Sequence, residues 1–220
     1  MMRKVFVPAV VLFLAFGITR PASAITTITP GTDGIERISG GVFELGLDNL
    51  LLVRYQSTGS DPNTVSTLEA SYVGGLTPRY FLADNFSLAA NLELFYGKRS
   101  ETAGGVESTS SDLGFLGLVM ANYYVRLGWG MFFAPGIGGG GFYGTRSTPS
   151  ATPGMTDNAA LYGGAVKVDL GFVFYAGPHF NLKGGPDVLI RFGNVKPEGV
   201  DGESLMSVEA GFHIGLAYSI

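Results

Sequence analysis

His179 and His213 are the only imidazoles in the 220 residues, and there is no cysteine. The missing thiol removes disulfide scaffolds, Cys-based zinc sites, thiol catalysis and lipid attachment through an N-terminal Cys. Two histidines so far apart offer no metal-ligand spacing. Neither stands in a His-x-Ser pairing, so a hydrolase built on His, Ser and a carboxylate has no support. His179 lies beside Ala176-Gly177-Pro178 and reads as a solvated turn residue, whereas His213, near Glu209, reads as a hydrogen-bonded filler rather than a base. The run Gly136-Ile137-Gly138-Gly139-Gly140-Gly141 has the letters of a dinucleotide-binding fingerprint, but no helix follows it. Glycine there is better read as permitting curvature or close packing of neighbouring side chains. The expectation is no enzyme, no cofactor, and no catalytic, cofactor-binding or metal residues.

What remains chemically active is a set of charges spaced by strand periodicity. Phe86, Leu88, Ala90, Leu92, Leu94 and Tyr96 alternate with Ser87, Ala89, Asn91, Glu93, Phe95 and Gly97. Residues 180–192 repeat the pattern, setting Leu182, Val188 and Ile190 against Lys183, Asp187 and Arg191. Residues 206–220 do so again, with Val208, Phe212 and Ile214 against Glu209 and His213. Period 2 marks a strand with two different faces. These runs exceed the usual 5 to 6 residues of a globular strand and carry charges in mid-run. A soluble barrel or sandwich would turn the apolar face inward, and a membrane barrel would turn it to lipid. Periodicity alone leaves both open.

Aromatic residues favour the membrane. Short connections at Ala83-Asp84-Asn85, Leu127-Gly128 and Ala176-Gly177-Pro178 are flanked by Tyr80, Phe86, Tyr123, Trp129, Phe174 and Phe180, with Tyr218 near the same level. At the opposite strand ends lie Tyr55, Tyr96, Phe142, Tyr162 and Phe192. Rings at both strand ends predict two belts at lipid–water boundaries. The other connections, at 56–65, 98–111, 145–158 and 193–204, are longer and polar. Short and long connections therefore alternate. The count gives eight strands near 40–55, 66–82, 86–97, 112–126, 129–144, 159–176, 179–192 and 205–220. The predicted fold is all-β: an eight-stranded antiparallel up-and-down transmembrane β-barrel.

The polar faces then line a lumen. They contribute Glu44, Asp48, Glu69, Glu93, Asp169, Asp187 and Glu209 against Arg54, Arg79, Arg126, Lys167, Lys183 and Arg191, with His213 among them. Eight strands leave a bore that side chains can just fill, and a buried charge is costly without a partner. Near-balance of sign predicts a lumen filled by ion pairs, whereas a selective pore would show an excess of one sign.

Before the barrel, Arg3 and Lys4, an apolar run over residues 5–18, and Ala22-Ser23-Ala24 read as an export signal cleaved after Ala24. Residues 25–39 are then a short periplasmic segment and 40–220 the barrel. Removing Arg3, Lys4 and Arg20 leaves 11 basic against 18 acidic residues, a balance of -7, which argues against a nucleic-acid partner.

Three segments resemble the small bacterial outer-membrane β-barrels of the porin-like and opacity-protein group, which includes OmpX-like and OmpA-like barrels. Thr77 to Phe86 looks like a strand, periplasmic turn and next strand of that family. Phe133 to Gly141 is similar to its Gly-rich fifth strand, and the terminal alternation to Tyr218 is similar to its C-terminal assembly signal. The chain ends in Ile220, where the family usually has Phe or Trp. The resemblance implies location in the outer membrane, with lipid, lipopolysaccharide and the assembly machinery as partners. The function expected is a filled barrel with a structural or surface-interaction role through its outer loops, the surface ligand being unspecified. The alternative is a narrow porin-like channel for small or apolar solutes, motivated by Leu116, Leu118, Met120, Phe132 and Ala134 on the inward face.

Overall fold

The computed structural model describes residues 28–31, 34–60, 63–71, 75–103, 106–149, 156–197 and 202–220. For 28–31, 34–36, 51–54, 56–60, 63–71, 98–103 and 106–109 only the backbone course is described. The expected signal segment and its cleavage site at Ala24 lie outside these residues.

A small hairpin, β1 (Ile28–Gly31) and β2 (Gly34–Ile38), precedes the barrel. The staves are β3 (Phe43–Ser60), β4 (Asn63–Ser71) continued by β5 (Gly75–Ala83), β6 (Phe86–Ala103), β7 (Val106–Tyr123) continued by the short β8 (Val125–Gly128), β9 (Met131–Pro149), β10 (Thr156–Tyr175), β11 (Phe180–Pro197) and β12 (Glu203–Ser219). Every neighbour is antiparallel, and β12 pairs with β3, Tyr218 opposite Leu45, so that the sheet closes on itself. Eight staves in a ring leave no sheet edge to satisfy. That is the condition for a sheet in hydrocarbon.

The wall is inside out. On β6 Leu92 and Leu94 are exposed while Asn91 and Glu93 are buried; on β12 Val208 and Phe212 are exposed while Glu209 and His213 are buried. The same parity holds along β10, where Val166, Val168, Leu170 and Phe172 face out and Lys167 and Asp169 face in. A soluble barrel would have the reverse. The outward band of Leu, Val, Ile and Phe therefore makes this a transmembrane barrel.

Two boundaries differ from the sequence expectation. The second short turn falls at Trp129–Gly130, not Leu127–Gly128, because Gly128 (φ 107), Trp129 (φ 56) and Gly130 (φ 73) together supply the left-handed backbone the reversal needs. The expected long loops are largely strand: β6 runs to Ala103 and β7 starts at Val106, while β9 reaches Pro149 and β10 starts at Thr156. Staves of 18 to 20 residues at β6, β9 and β10 exceed the roughly 9 to 11 needed to cross hydrocarbon. The hairpins therefore project well beyond the apolar band on the loop side, their Ser- and Thr-rich ends still paired in ladders.

The glycine run on β9 has a packing cause. Gly136, Gly138 and Gly140 hold the inward parity, opposite Asn122, Met120 and Leu118 of β7 and opposite Asp169, Lys167 and Ala165 of β10. A Cβ on Gly138 would meet the Met120 sulfur, and one on Gly140 the Gly117 carbonyl. These glycines make room for the inward side chains of Asn122 and Met120 and for the close approach of the β7 backbone.

A membrane-borne thiol label tests the parity directly. With single cysteines at 91 to 95 of the barrel in bilayers, Leu92→Cys and Leu94→Cys are expected to react, and Asn91→Cys and Glu93→Cys to be spared by at least tenfold; the reverse pattern would refute the orientation.

Candidate functional site

The lumen is the chemically distinctive region, and its middle is ionic. At the turn side, Glu44 receives the Arg79 guanidinium on one oxygen. Its other oxygen accepts from Asn181 Nδ2 at 2.6 Å, Tyr175 Oη at 3.1 Å and Ser219 Oγ at 3.3 Å. One buried carboxylate thus collects donors from four other staves. Further along, Lys183 Nζ lies 2.6 Å from Asp169, and Lys167 Nζ bridges Glu93 at 2.9 Å and Asp187 at 3.1 Å. Toward the loop side Arg191 pairs with Glu209, which also accepts from Ser207 at 3.3 Å. The Arg191 guanidinium lies over the Phe95 and Phe142 rings, 5.0 and 5.7 Å from their centroids. Ring faces attract a cation, so this pocket accommodates the charge as well as the stem.

Two apolar clusters flank these charges. At the turn-side mouth Phe81, Tyr124, Phe132, Val173 and Tyr175 pack with Ile38 and Val42 from the segment before β3. The rings step across the mouth with centroids 5.1 Å (Phe81–Tyr124), 6.4 Å (Tyr124–Phe132) and 5.8 Å (Phe132–Tyr175) apart. On the wall of β6, β7, β9 and β10 a second cluster joins Leu116, Leu118, Met120, Phe142 and Leu161, with Val195 and Leu205 against it.

The N-terminal segment is fastened into the mouth rather than trailing from it. Gly41 N donates to Phe81 O, Phe81 N to Val42 O at 2.9 Å, and Asn85 N to Ile38 O at 2.9 Å. Side chains of the first turn return the contact: Asn85 Oδ1 accepts from Ile38 N at 3.1 Å and Asp84 Oδ1 from Gly40 N at 3.0 Å. Arg37 pairs with Asp84 at 3.1 Å. Ile38 and Val42 are buried. The backbone bonds fix the segment, and the two aliphatic side chains close the mouth.

Glu44, Asp48, Arg79, Glu93, Lys167, Asp169, Lys183, Asp187, Glu209 and His213 are buried, and Arg191 is half-buried. His213 Nε2 stands 3.9 Å from Asp169 Oδ1. Arg126 does not join them. It lies in β8 opposite Phe132 of β9, two residues past buried Tyr124, and it is exposed although Phe132 is buried. Arg54 and Glu69 face each other as Cα partners between β3 and β4, but their side chains lie outside the described residues. His179 is exposed, its Nδ1 2.9 Å from Ser219 O and its ring stacked on Tyr218.

Among the ring residues expected in the belts, Tyr55, Tyr96, Tyr123, Trp129, Tyr162, Phe174, Phe180, Phe192 and Tyr218 are exposed, and Tyr80 and Phe86 are half-buried. Phe142 is the exception: it faces the lumen, and its neighbour Tyr143 is the outward ring. Counting by twos from Phe132 along β9 reaches Phe142, so strict parity carries the signal. Adjacent rings at the turns divide the same way, with Phe81, Tyr124 and Tyr175 turned inward to build the mouth cluster. Sequence reasoning had no means of seeing that Ile38 and Val42 would complete it. Among the described residues no three His, Asp or Glu side chains converge as a metal site requires.

An inside-out, eight-stave barrel with a paired ionic interior is the smallest class of transmembrane β-barrel. The outer membrane protein OprG from Pseudomonas aeruginosa is similar in fold: 16% sequence identity, 83% of this chain and 97% of that chain covered, and a TM-score of 0.50. Neisserial surface protein A shows 13% identity over 81% of this chain and 98% of that chain, with a TM-score of 0.48. Ail, the attachment invasion locus protein of Yersinia pestis, shows 12% identity over 82% and 99%, also with a TM-score of 0.48. No protein-family model and no curated protein matches the sequence.

Two substitutions probe this arrangement. Lys167→Met leaves Glu93 and Asp187 without their shared cation and is expected to cost about 3 to 5 kcal/mol, read from the urea midpoint of the folded barrel. Ile38→Asp places an unpaired charge in the mouth cluster. Limited proteolysis is then expected to cut within 28–42 while the barrel itself stays folded.

Proposed function

We propose that this protein is an integral barrel of the bacterial outer membrane with a closed lumen, acting without enzymatic chemistry as a rigid anchor for surface-exposed hairpins that meet an extracellular partner. The observation that carries the reading is the filling of the bore: Arg79 with Glu44, Lys183 with Asp169, Lys167 with Glu93 and Asp187, and Arg191 with Glu209 occupy it as buried or half-buried pairs, Lys167 with Glu93 reaching across it. The aromatic seal closes the mouth below them. A pore would need these pairs to separate in low dielectric, which costs several kcal/mol for each charge left alone.

Projection of β6, β7, β9 and β10 past the apolar band supports a role on the loop side, since a barrel that only stiffened the membrane would have no need of such extensions. The inward apolar patch that could serve a channel for apolar solutes is packed: Leu116, Leu118 and Met120 lie against Phe142 and Leu161. Packing of this kind is filler. Outer-membrane lipid and lipopolysaccharide would be the permanent surroundings of the outward band, and the assembly machinery its partner during insertion.

Purified protein in planar bilayers is expected to show no conductance above background. Trimming the hairpin ends around 57–65, 98–111, 146–158 and 194–204 is expected to preserve heat-modifiable gel mobility and to abolish adherence to host or neighbouring-cell components. Steady conductance would replace this reading with the channel, and unchanged adherence after trimming would remove the surface role.

A further inference from the structure

One feature of β3 has no role in the ion pairs. Asp48 and Asn49 are adjacent, yet both are buried, although alternation would send one of them to lipid. Asn49 has φ 60, and the pairing of β3 with β12 shifts register between Ile214 and Leu216. This is a β-bulge, and its effect is to turn the Asn49 amide into the bore. There it borders a cavity of about 10 Å³ shared with Asn91, Asn122, Asp169 and His213.

Neither Asn49 Oδ1 nor Asn49 Nδ2 meets a hydrogen-bonding partner in the protein, and the same holds for Asn91 Oδ1, Asn122 Nδ2, Asp169 Oδ1 and His213 Nδ1. Buried polar atoms without partners are rare, yet the residues lining this one space hold eight of them, Thr77 Oγ1 and Arg79 Nε being the other two. We propose that this cavity is a built site for a single water molecule, which bridges up to four of these atoms across the mid-lumen.

Three features select the ligand. The volume suits one water, which needs roughly 10 to 15 Å³ by this measure. The unpartnered atoms of its lining residues include donors (Asn49 Nδ2, Asn122 Nδ2) and acceptors (Asn49 Oδ1, Asn91 Oδ1, Asp169 Oδ1), so an occupant that both donates and accepts suits them. The wall carries both signs, Asp48 and Asp169 against Arg79, Lys167 and Lys183, so a bare cation would lie against ammonium and guanidinium groups and a bare anion against carboxylates. A neutral molecule escapes both repulsions. Held there, it joins β3 at its bulge to β6, β7 and β10 across the bore, linking staves that are not neighbours in the ring. This inference rests on the lumen alone and stands whichever partner the hairpins meet.

Protein with ¹⁵N-labelled Asn side chains, folded in detergent micelles, gives a direct test by rotating-frame water–amide cross-relaxation at short mixing times, where the sign separates a bound water from proton exchange. Cross-peaks to water are expected from the side-chain amides of Asn49 and Asn122. Asn122→Leu, which keeps the branched skeleton of Asn but is bulkier and unable to hydrogen-bond, is expected to reduce the Asn49 cross-peak at least tenfold and to lower the urea midpoint. Absence of both cross-peaks in the unsubstituted protein would overturn the proposal, whether or not the variant folds. So would a raised midpoint in Asn122→Leu, the result for removing an unpartnered amide from a dry space.

Discussion

A charge enclosed by an eight-stranded wall has no bulk water to turn to, and this constraint shapes most of the molecule. Lipid lies on one side of the sheet and a bore just wide enough for side chains on the other. Glu44 therefore collects Arg79, Tyr175, Asn181 and Ser219, and Lys167 stands between Glu93 and Asp187. Some of these contacts join neighbouring staves, Glu44 with Arg79 and Lys167 with Asp187, while Lys167 with Glu93 and Tyr175 with Glu44 brace the ring across the bore.

The glycines of β9 follow from the same constraint. Lys167 and Met120 both extend inward from staves flanking Gly138, and Asp169 and Asn122 from staves flanking Gly136. Met120 and Asn122 fill the space that a side chain at Gly138 or Gly136 would need, so the stave beside them can contribute only backbone there. A run that resembles a nucleotide-binding fingerprint is here the space into which an ionic interior folds.

The two ends of the barrel solve different problems. At the turn side the wall ends with inward rings, and the N-terminal segment supplies Ile38 and Val42 to cover them, held by backbone bonds to Phe81 and Asn85. At the loop side the staves continue as paired ladders beyond the apolar band, so that polar Ser and Thr residues extend into water while still bonded strand to strand. One end is closed by packing, and the other is built outward.

Alternation of residue type was enough to read the eight staves, the two faces of 86–97, 180–192 and 206–220, and most of the inward charges, because a side-chain period of two is a local property of the extended chain. Strict counting would also have turned Phe142 inward. Other features depend on distant segments and have no local signature. Arg126 keeps the inward parity and pairs with Phe132 of β9, yet it is exposed, and its place at the turn-side end of the barrel is set by the tertiary fold. Asn49 turns inward because a bulge against β12 breaks the alternation, and Ile38 and Val42 are buried because a mouth made by β5, β7, β9 and β10 receives them. Which cation meets which carboxylate likewise waited on the closing of the ring: Lys167 and Glu93 stand 74 residues apart along the chain, and no spacing rule connects them until the sheet curls round and brings their staves face to face.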